Sequence, residues 1–210
     1  MTDTLATPVE GEGDRRPRRR INRTVMEWSA LIVAAVVIAV VIKTFLFQPF
    51  YIPTPSMVPT LDVGDRVLVN KLSYDFHDVH RGDIVVFAAG PNTRWHGLDV
   101  DDLVKRVVAL PGETVTQCNT NQVCIDGKVL REPYTANSRR FASPMSASAR
   151  ALCAPGSPDG GCKVLPGTVF VMGDNRTDSS DSRERGPIKE SSIVGRVFVR
   201  IWPPDRIGAP

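Results

Sequence analysis

Three clusters in this chain hold residue types capable of chemistry. The first is the strip Phe50-Tyr51-Ile52-Pro53-Thr54-Pro55-Ser56-Met57-Val58-Pro59-Thr60-Leu61, with one serine set among prolines and no charge between Lys43 and Asp62. Each proline fixes its own φ and pushes the residue before it towards extended geometry. Ser56 is therefore expected in a stiffened, non-helical strip. With a base beside it, its hydroxyl could attack a carbonyl and form an acyl intermediate. Without one, the strip reads as a rigid juxtamembrane spacer.

The base has to come from elsewhere. The histidines, His77, His80 and His96, fall in one polar loop region with no strand to hold them, so a Ser-His-Asp triad has little to work with. His77 and His80 with Asp78 lack a helix to bring them onto one face, and no metal is expected. Lys105, in the second cluster, sits in the run Leu103-Val104-Lys105-Arg106-Val107-Val108. Strand alternation puts it with Leu103 and Val107, and Arg106 with Val104 and Val108. Facing inward, its ammonium form would be disfavoured and its pKa lowered towards that of a general base. Facing outward, it would only guard a strand edge. The third cluster, Gly173-Asp174-Asn175-Arg176-Thr177-Asp178-Ser179-Ser180-Asp181-Ser182-Arg183, reads as a polar turn or as a paired ion network with serines able to hold an amine.

These clusters need elements to position them. The 210 residues, 42% apolar and 23% charged, suit a globular chain. The net charge of +3 is uneven: Arg15, Arg16, Arg18, Arg19, Arg20 and Arg23 lie together, and without them the remainder carries −3. That argues against a nucleic-acid partner and for a basic tail, residues 1–24, expected to be disordered and cytoplasmic. Trp28 to Phe47 is apolar apart from Lys43, and as a helix it would span about 30 Å, enough for a bilayer core. A cleavable secretory signal has a shorter core ending in a small-x-small site, whereas Phe45-Leu46-Phe47-Gln48-Pro49 offers none. Residues 25–48 are therefore expected to be one transmembrane anchor. The arginines before it place the N-terminus in the cytoplasm and the rest outside, on the cell membrane.

Past Leu61 the signals are β. Runs at Arg66–Val69, Asp83–Phe87, Leu103–Val108, Thr168–Met172 and Ile193–Trp202 are rich in Val, Ile and Phe. Gln122–Leu130 reads as a hairpin turning at Asp126-Gly127. The expected fold class is mainly β: an antiparallel catalytic domain at 49–118 and 164–210, interrupted by an insertion at 119–163 with little core of its own. Cys118, Cys124, Cys153 and Cys162 lie in or beside that insertion, in an oxidising compartment. Pairing Cys118 with Cys124 and Cys153 with Cys162 closes two short loops; free thiols are the alternative.

Together these residues resemble the bacterial type I signal peptidases, membrane-anchored serine proteases with a Ser/Lys dyad. Pro55–Leu61 is similar to the family's nucleophile box and Gly64–Lys71 to the next. Arg81–Phe87 with Val104–Glu113 resembles the box holding the lysine, and Gly173–Arg183 the last. The resemblance implies that Ser56 is the nucleophile, that Lys105 is a neutral general base and that Ser179 orients the lysine amine. The backbone N–H of Ser56 and the hydroxyl of Thr54 would form the oxyanion hole. Arg106, Asp174, Asp181 and Arg183 would form a structural ion network. Phe50, Ile52, Pro53, Met57, Leu61, Asp102, Leu103 and Val104 would bind substrate in shallow apolar pockets and along strand edges. The implied substrates are secretory preproteins cut after small-x-small residues, typically Ala-x-Ala, at the outer face of the bilayer. No cofactor is implied, and a monomer is expected. Pro55 stands where the family often has a small residue such as Gly, and Thr54 where Ser is common. Other readings are another Ser/Lys-dyad protease of the same fold, or a non-catalytic membrane-tethered β scaffold in which Ser56 and Lys105 only pack.

Overall fold

The computed structural model describes residues 23–41, 46–90, 94–95, 98–118, 122–135 and 145–210. Of the tail expected to be disordered over residues 1–24, residues 1–22 lie outside these, while Arg23 and Thr24 are already helical; the charge at Lys43, the loop histidine His96 and residues 119–121 and 136–144 of the insertion also lie outside. The chain divides into two compact units between Val40 and Val41.

The first unit holds helix α1 (Arg23–Val41) up to Val40. Its Arg23–Val40 stretch has a mean hydropathy of 1.8 and is long and apolar enough to cross a membrane. The helix was expected to continue to Phe47; instead strand β1 (Phe47–Tyr51) begins there. Pro49 explains the change, because it lacks a backbone N–H and biases Gln48 towards extended geometry. A partner strand is also available, since Phe47 to Tyr51 pair antiparallel with Asn70 to Arg66.

The second unit is built on an antiparallel sheet. After β1 come β2 (Arg66–Asn70), β3 (Ile84–Ala88), the short β4 (Arg94–Trp95) and β5 (Leu98–Asp99), and β6 (Asp102–Ala109). A one-turn helix α2 (Ser73–Phe76) lies between β2 and β3. Then follow β7 (Thr114–Cys118), β8 (Gln122–Ile125), β9 (Lys128–Val129), α3 (Ala147–Arg150), β10 (Cys162–Lys163) and β11 (Thr168–Met172). Helix α4 (Ser182–Arg185), β12 (Ile188–Lys189) and β13 (Ile193–Trp202) complete the order. The large sheet runs β1-β2-β13-β3-β6-β11-β12. The four-residue helices are too short to leave a helical period in the sequence.

Two apolar clusters sandwich the middle of this sheet. Ile52, Met57, Leu61, Val67, Val69, Ile84, Val86 and Val197 form one; Val85, Phe87, Leu103, Val107, Val169 and Val171 form the other. Neighbouring residues of β3 fall in different clusters, as a pleated strand buried on both sides requires.

The insertion differs from expectation. It holds a second sheet, ordered β10-β7-β8-β9, that begins at Thr114 and closes at Lys163. Val115, Val123, Ile125, Met145 and Ala149 are buried in one cluster with Val108 and Ala109 of β6 and Phe170 and Met172 of β11. The insertion thus completes its core by borrowing apolar surface from the large sheet. Its hairpin turns at Asp126 (φ 49°) and Gly127 (φ 77°), the left-handed pair that a two-residue turn between strands requires. Disulfides join Cys118 to Cys124 and Cys153 to Cys162.

Candidate active site

Ser56 sits in a single 3-10 turn, Pro55–Met57, not in an extended strip. The prolines bracket the turn. Pro55 opens it, since a fixed φ suits a first helical position, and Pro59 keeps Val58 extended (φ −63°, ψ 135°). The turn closes through Val58 N–H donating to the carbonyl of Pro55 at 3.1 Å. Ser56 is 3% exposed, and Thr54 Oγ1 lies 3.3 Å from Ser56 Oγ.

Lys105 reaches the same hydroxyl from the sheet. It stands opposite Val85 on β3, is 2% exposed, and its Nζ lies 2.7 Å from Ser56 Oγ and 2.9 Å from the carbonyl oxygen of Val104. The inward alternative is the one realised. Burial lowers its pKa from 10.5 to about 8. Arg185 and Arg183 push the same way, and the charges of Asp181 and Asp174 oppose them. A lysine in that range carries a useful neutral fraction near pH 7–8, so its amine can take the proton of a hydroxyl 2.7 Å away.

Beside the pair, β6 has an open edge. β3 covers Asp102 to Arg106, but on the other side β11 meets β6 only at Arg106, Val107 and Ala109. Among the described residues, Asp102–Lys105 have no strand partner on that second side, which suits an extended peptide. Of the expected substrate-binding residues, Phe50 and Val104 are partly buried and Pro53 is exposed. Asp102 is half-buried, its carboxyl pushed up by burial and by Asp101. Ile52, Met57, Leu61 and Leu103 instead belong to the core clusters, with Leu61 fully buried. Ile52, Met57 and Leu61 build an apolar floor under the strip, whereas Leu103 packs in the cluster on the other side of the sheet.

The loop after β11 anchors the site through buried ion pairs. Arg106 donates from Nε and Nη2 to Asp174 at 2.9 and 2.7 Å, and Thr60 Oγ1 donates to the same carboxylate at 2.5 Å. Arg183 donates from Nε and Nη2 to Asp181, each at 2.8 Å. Burial alone would raise the Asp181 pKa; Arg183, the Gly173 N–H and the Ser179 hydroxyl outweigh it and hold the carboxyl below its ordinary range. Ser179 was expected to hold the lysine amine directly. Here its hydroxyl donates to Asp181 Oδ2 at 2.8 Å, while the bonds of Lys105 Nζ go to Ser56 and Val104.

Gly173 lets this loop approach the nucleophile. A Cβ there would stand 2.3 Å from Ser179 Oγ and 2.4 Å from the carbonyl oxygen of Ser56, so a side chain would force the loop away. Next to it, Asn175 donates from its backbone N–H to Ser56 O at 3.0 Å and from Nδ2 to Pro55 O at 3.2 Å. Asn175, Thr60, Arg176, Glu132 and Tyr134 all serve this region, and sequence reasoning assigned none of them. Asn175 and Arg176 stood inside the polar loop, but nothing in their spacing names their partners.

Residues 25–202 match the family described as signal peptidase, peptidase S26. Signal peptidase I of Mycobacterium tuberculosis (strain ATCC 25618 / H37Rv) is 35% identical, the alignment covering 97% of this chain and 83% of that protein. Signal peptidase I of Leptolyngbya laminosa is 38% identical over 98% of this chain and 92% of that one. Signal peptidase I T of Bacillus subtilis (strain 168) is 37% identical, covering 93% and 92%. A crystal structure of a signal peptidase I from Enterococcus faecalis V583 aligns at 31% identity over 58% of this chain and 98% of that one, with a TM-score of 0.43. By its matched length and its relatives, this chain belongs to the signal peptidase I family of serine endopeptidases.

Proposed function

We propose that this chain removes signal peptides from secretory preproteins through an acyl-enzyme, with Ser56 as nucleophile and Lys105 as general base. The observation that carries the proposal is the 2.7 Å contact between Ser56 Oγ and the amine of Lys105, a residue only 2% exposed. Ser56 Oγ attacks the scissile carbonyl as Lys105 Nζ takes its proton. The C–N bond then breaks, and Lys105 returns the proton to the leaving amine. The same amine then takes a proton from a water that attacks the ester; the carbonyl–Oγ bond breaks, Lys105 returns the proton to Ser56 Oγ, and the signal peptide leaves with a free carboxylate. The Ser56 N–H and the Thr54 hydroxyl supply the oxyanion donors; the Thr54–Ser56 contact of 3.3 Å supports that role for Thr54.

The substrate binds extended between the strip Phe50–Thr54 and the open edge of Asp102–Lys105, so backbone bonds give affinity and side-chain room sets the choice of sequence. Phe50, Pro53 and Val104 provide the accessible apolar contacts, over the floor of Ile52, Met57 and Leu61. Small residues before the cut, typically Ala-x-Ala, fit such a shallow surface. α1 anchors the enzyme in the cytoplasmic membrane with its arginine-rich N-terminus inside and Ser56 outside, and the working unit is a monomer.

The specificity is tested with the full chain in detergent micelles and a preprotein carrying Ala-x-Ala. The expected result is one cut directly after the second alanine, read by mass spectrometry of the new N-terminus, and its loss when that alanine is replaced by phenylalanine. Equal cutting of both precursors contradicts the small-x-small reading.

A further inference from the structure

A short segment of the insertion, Glu132-Pro133-Tyr134, reaches the back of the catalytic loop. Arg176, on the loop after β11, is among the largest fully buried side chains. Its guanidinium forms a fork with Glu132, Nη1 to Oε2 at 3.0 Å and Nη2 to Oε1, while its Nε donates to the carbonyl oxygen of Gly173 at 3.0 Å. Two residues on, the Tyr134 ring lies under the Arg106 guanidinium, 4.1 Å from its centroid, and the Tyr134 hydroxyl donates to Glu132 at 3.2 Å. One segment of the insertion therefore touches both Arg176 and Arg106, the cation of the Asp174 pair.

From Arg176 a continuous set of contacts leads to the nucleophile. Its Nε holds Gly173, the residue packed against Ser179 and the Ser56 carbonyl, and the intervening Asn175 holds the carbonyls of Pro55 and Ser56. A bidentate carboxylate–guanidinium fork fixes orientation as well as distance. The insertion meets the loop a second time farther on, where the Ser146 N–H donates to the Arg183 carbonyl at 2.9 Å, while Arg183 Nη1 bonds the Arg176 carbonyl at 2.8 Å from within the loop itself.

We propose that Glu132 and Arg176 are positioning residues for the reaction: the insertion, through this fork, sets the register of Gly173–Arg176 against the Ser56 turn. The insertion is then part of the catalytic apparatus as well as a cap on the sheet. The proposal rests on Ser56 being the nucleophile.

The test uses the full chain in detergent and the Ala-x-Ala precursor. The double variant Glu132→Met with Arg176→Met removes both charges together, so no buried ion is left unpaired. Its kcat falls about 10- to 100-fold, the cost of a nucleophile displaced by a fraction of an ångström to an ångström, with KM changed by less than about 3-fold. The rising limb of its pH profile stays where the wild type has it, because Lys105 keeps its apolar surroundings. Val123→Ala in the insertion core lowers the melting temperature and keeps kcat within about 2-fold of wild type when assayed well below its own Tm. Glu132→Gln, which keeps the volume and one acceptor, falls between wild type and the double variant and serves if the double variant does not fold. A folded double variant, or failing that a folded Glu132→Gln, with wild-type kcat overturns the proposal. So does a kcat loss in Val123→Ala equal to that of the double variant. Ser56→Ala in the same assay separates the two claims: its remaining active overturns the nucleophile assignment, whereas its inactivity beside a fully active double variant overturns only the positioning role.

Discussion

Ser56→Ala and Lys105→Met each lower kcat/KM for an Ala-x-Ala precursor by about ten-thousandfold or more, and the double variant is little worse than either single one, because nucleophile and base act as a unit. The two variants separate in stability. Ser56→Ala exchanges one small side chain for another at a buried site and should melt close to wild type. Lys105→Met should melt higher at pH 7. The amine titrates at about 8 in the fold and at 10.5 when free. Below pH 8 both folded and unfolded chains carry the proton, and the fold bears the full cost of a buried ammonium. That depression corresponds to about 3 kcal/mol. Between 8 and 10.5 the unfolded chain binds the proton and the folded chain does not, so wild-type stability rises with pH. The advantage of Lys105→Met is thus largest at neutral pH, a Tm gain of several degrees, and vanishes above 10.5. Calorimetry across that range checks it. A melting temperature that falls at pH 7 and shows no pH dependence would mean that the lysine is not buried as an unfavourable charge.

Asp181→Asn has the second large effect. It removes the carboxylate that holds Arg183, Ser179 and the Gly173 N–H, and leaves a guanidinium with 3% of its side chain exposed opposite a neutral amide. Breaking a buried pair in this way costs about 3–5 kcal/mol, or a Tm lower by about 10 °C. Because the Asp181 pKa is depressed in the fold, its contribution is present above the ordinary carboxylate value and fades only as pH falls below it. The deficit therefore persists from mildly acid to alkaline pH. The Asp181 charge also raises the Lys105 pKa, so the rising limb of the variant's rate profile moves to lower pH. A variant that melts like wild type between pH 5 and 8 contradicts this account.

The strands were legible where β-branched runs met turn residues. Thr168–Met172 and Ile193–Trp202 carry the expected bounds, and Arg66–Val69, Asp83–Phe87 and Leu103–Val108 lie within a residue of β2, β3 and β6. Phe47 was not legible as strand, because an apolar run ending in aromatics has no period to separate a membrane helix from a β edge, and only Asn70 opposite it decides. The turn at Ser56 was missed for a related reason: Pro55 both stiffens an extended chain and opens a helical turn, and the choice depends on the Asn175 bonds from a loop far along the chain. Met57 and Leu61 read as pocket walls because burial and substrate contact demand the same apolar side chains. Lys105 was found by alternation on its strand, but its depth came from packing that alternation leaves undecided. The Glu132–Arg176 fork joins residues 44 apart, and no local pattern carries that information.

The proposed Ser/Lys chemistry makes one quantity decisive, the protonation of Lys105 in the free enzyme, and the pH dependence of kcat/KM reports it. With the full chain in detergent and the Ala-x-Ala precursor, kcat/KM should rise with pH through a limb near 8, where the buried amine loses its proton. A limb near the ordinary lysine value of 10.5, with no inflection near 8, would contradict a neutral, buried Lys105 as the base.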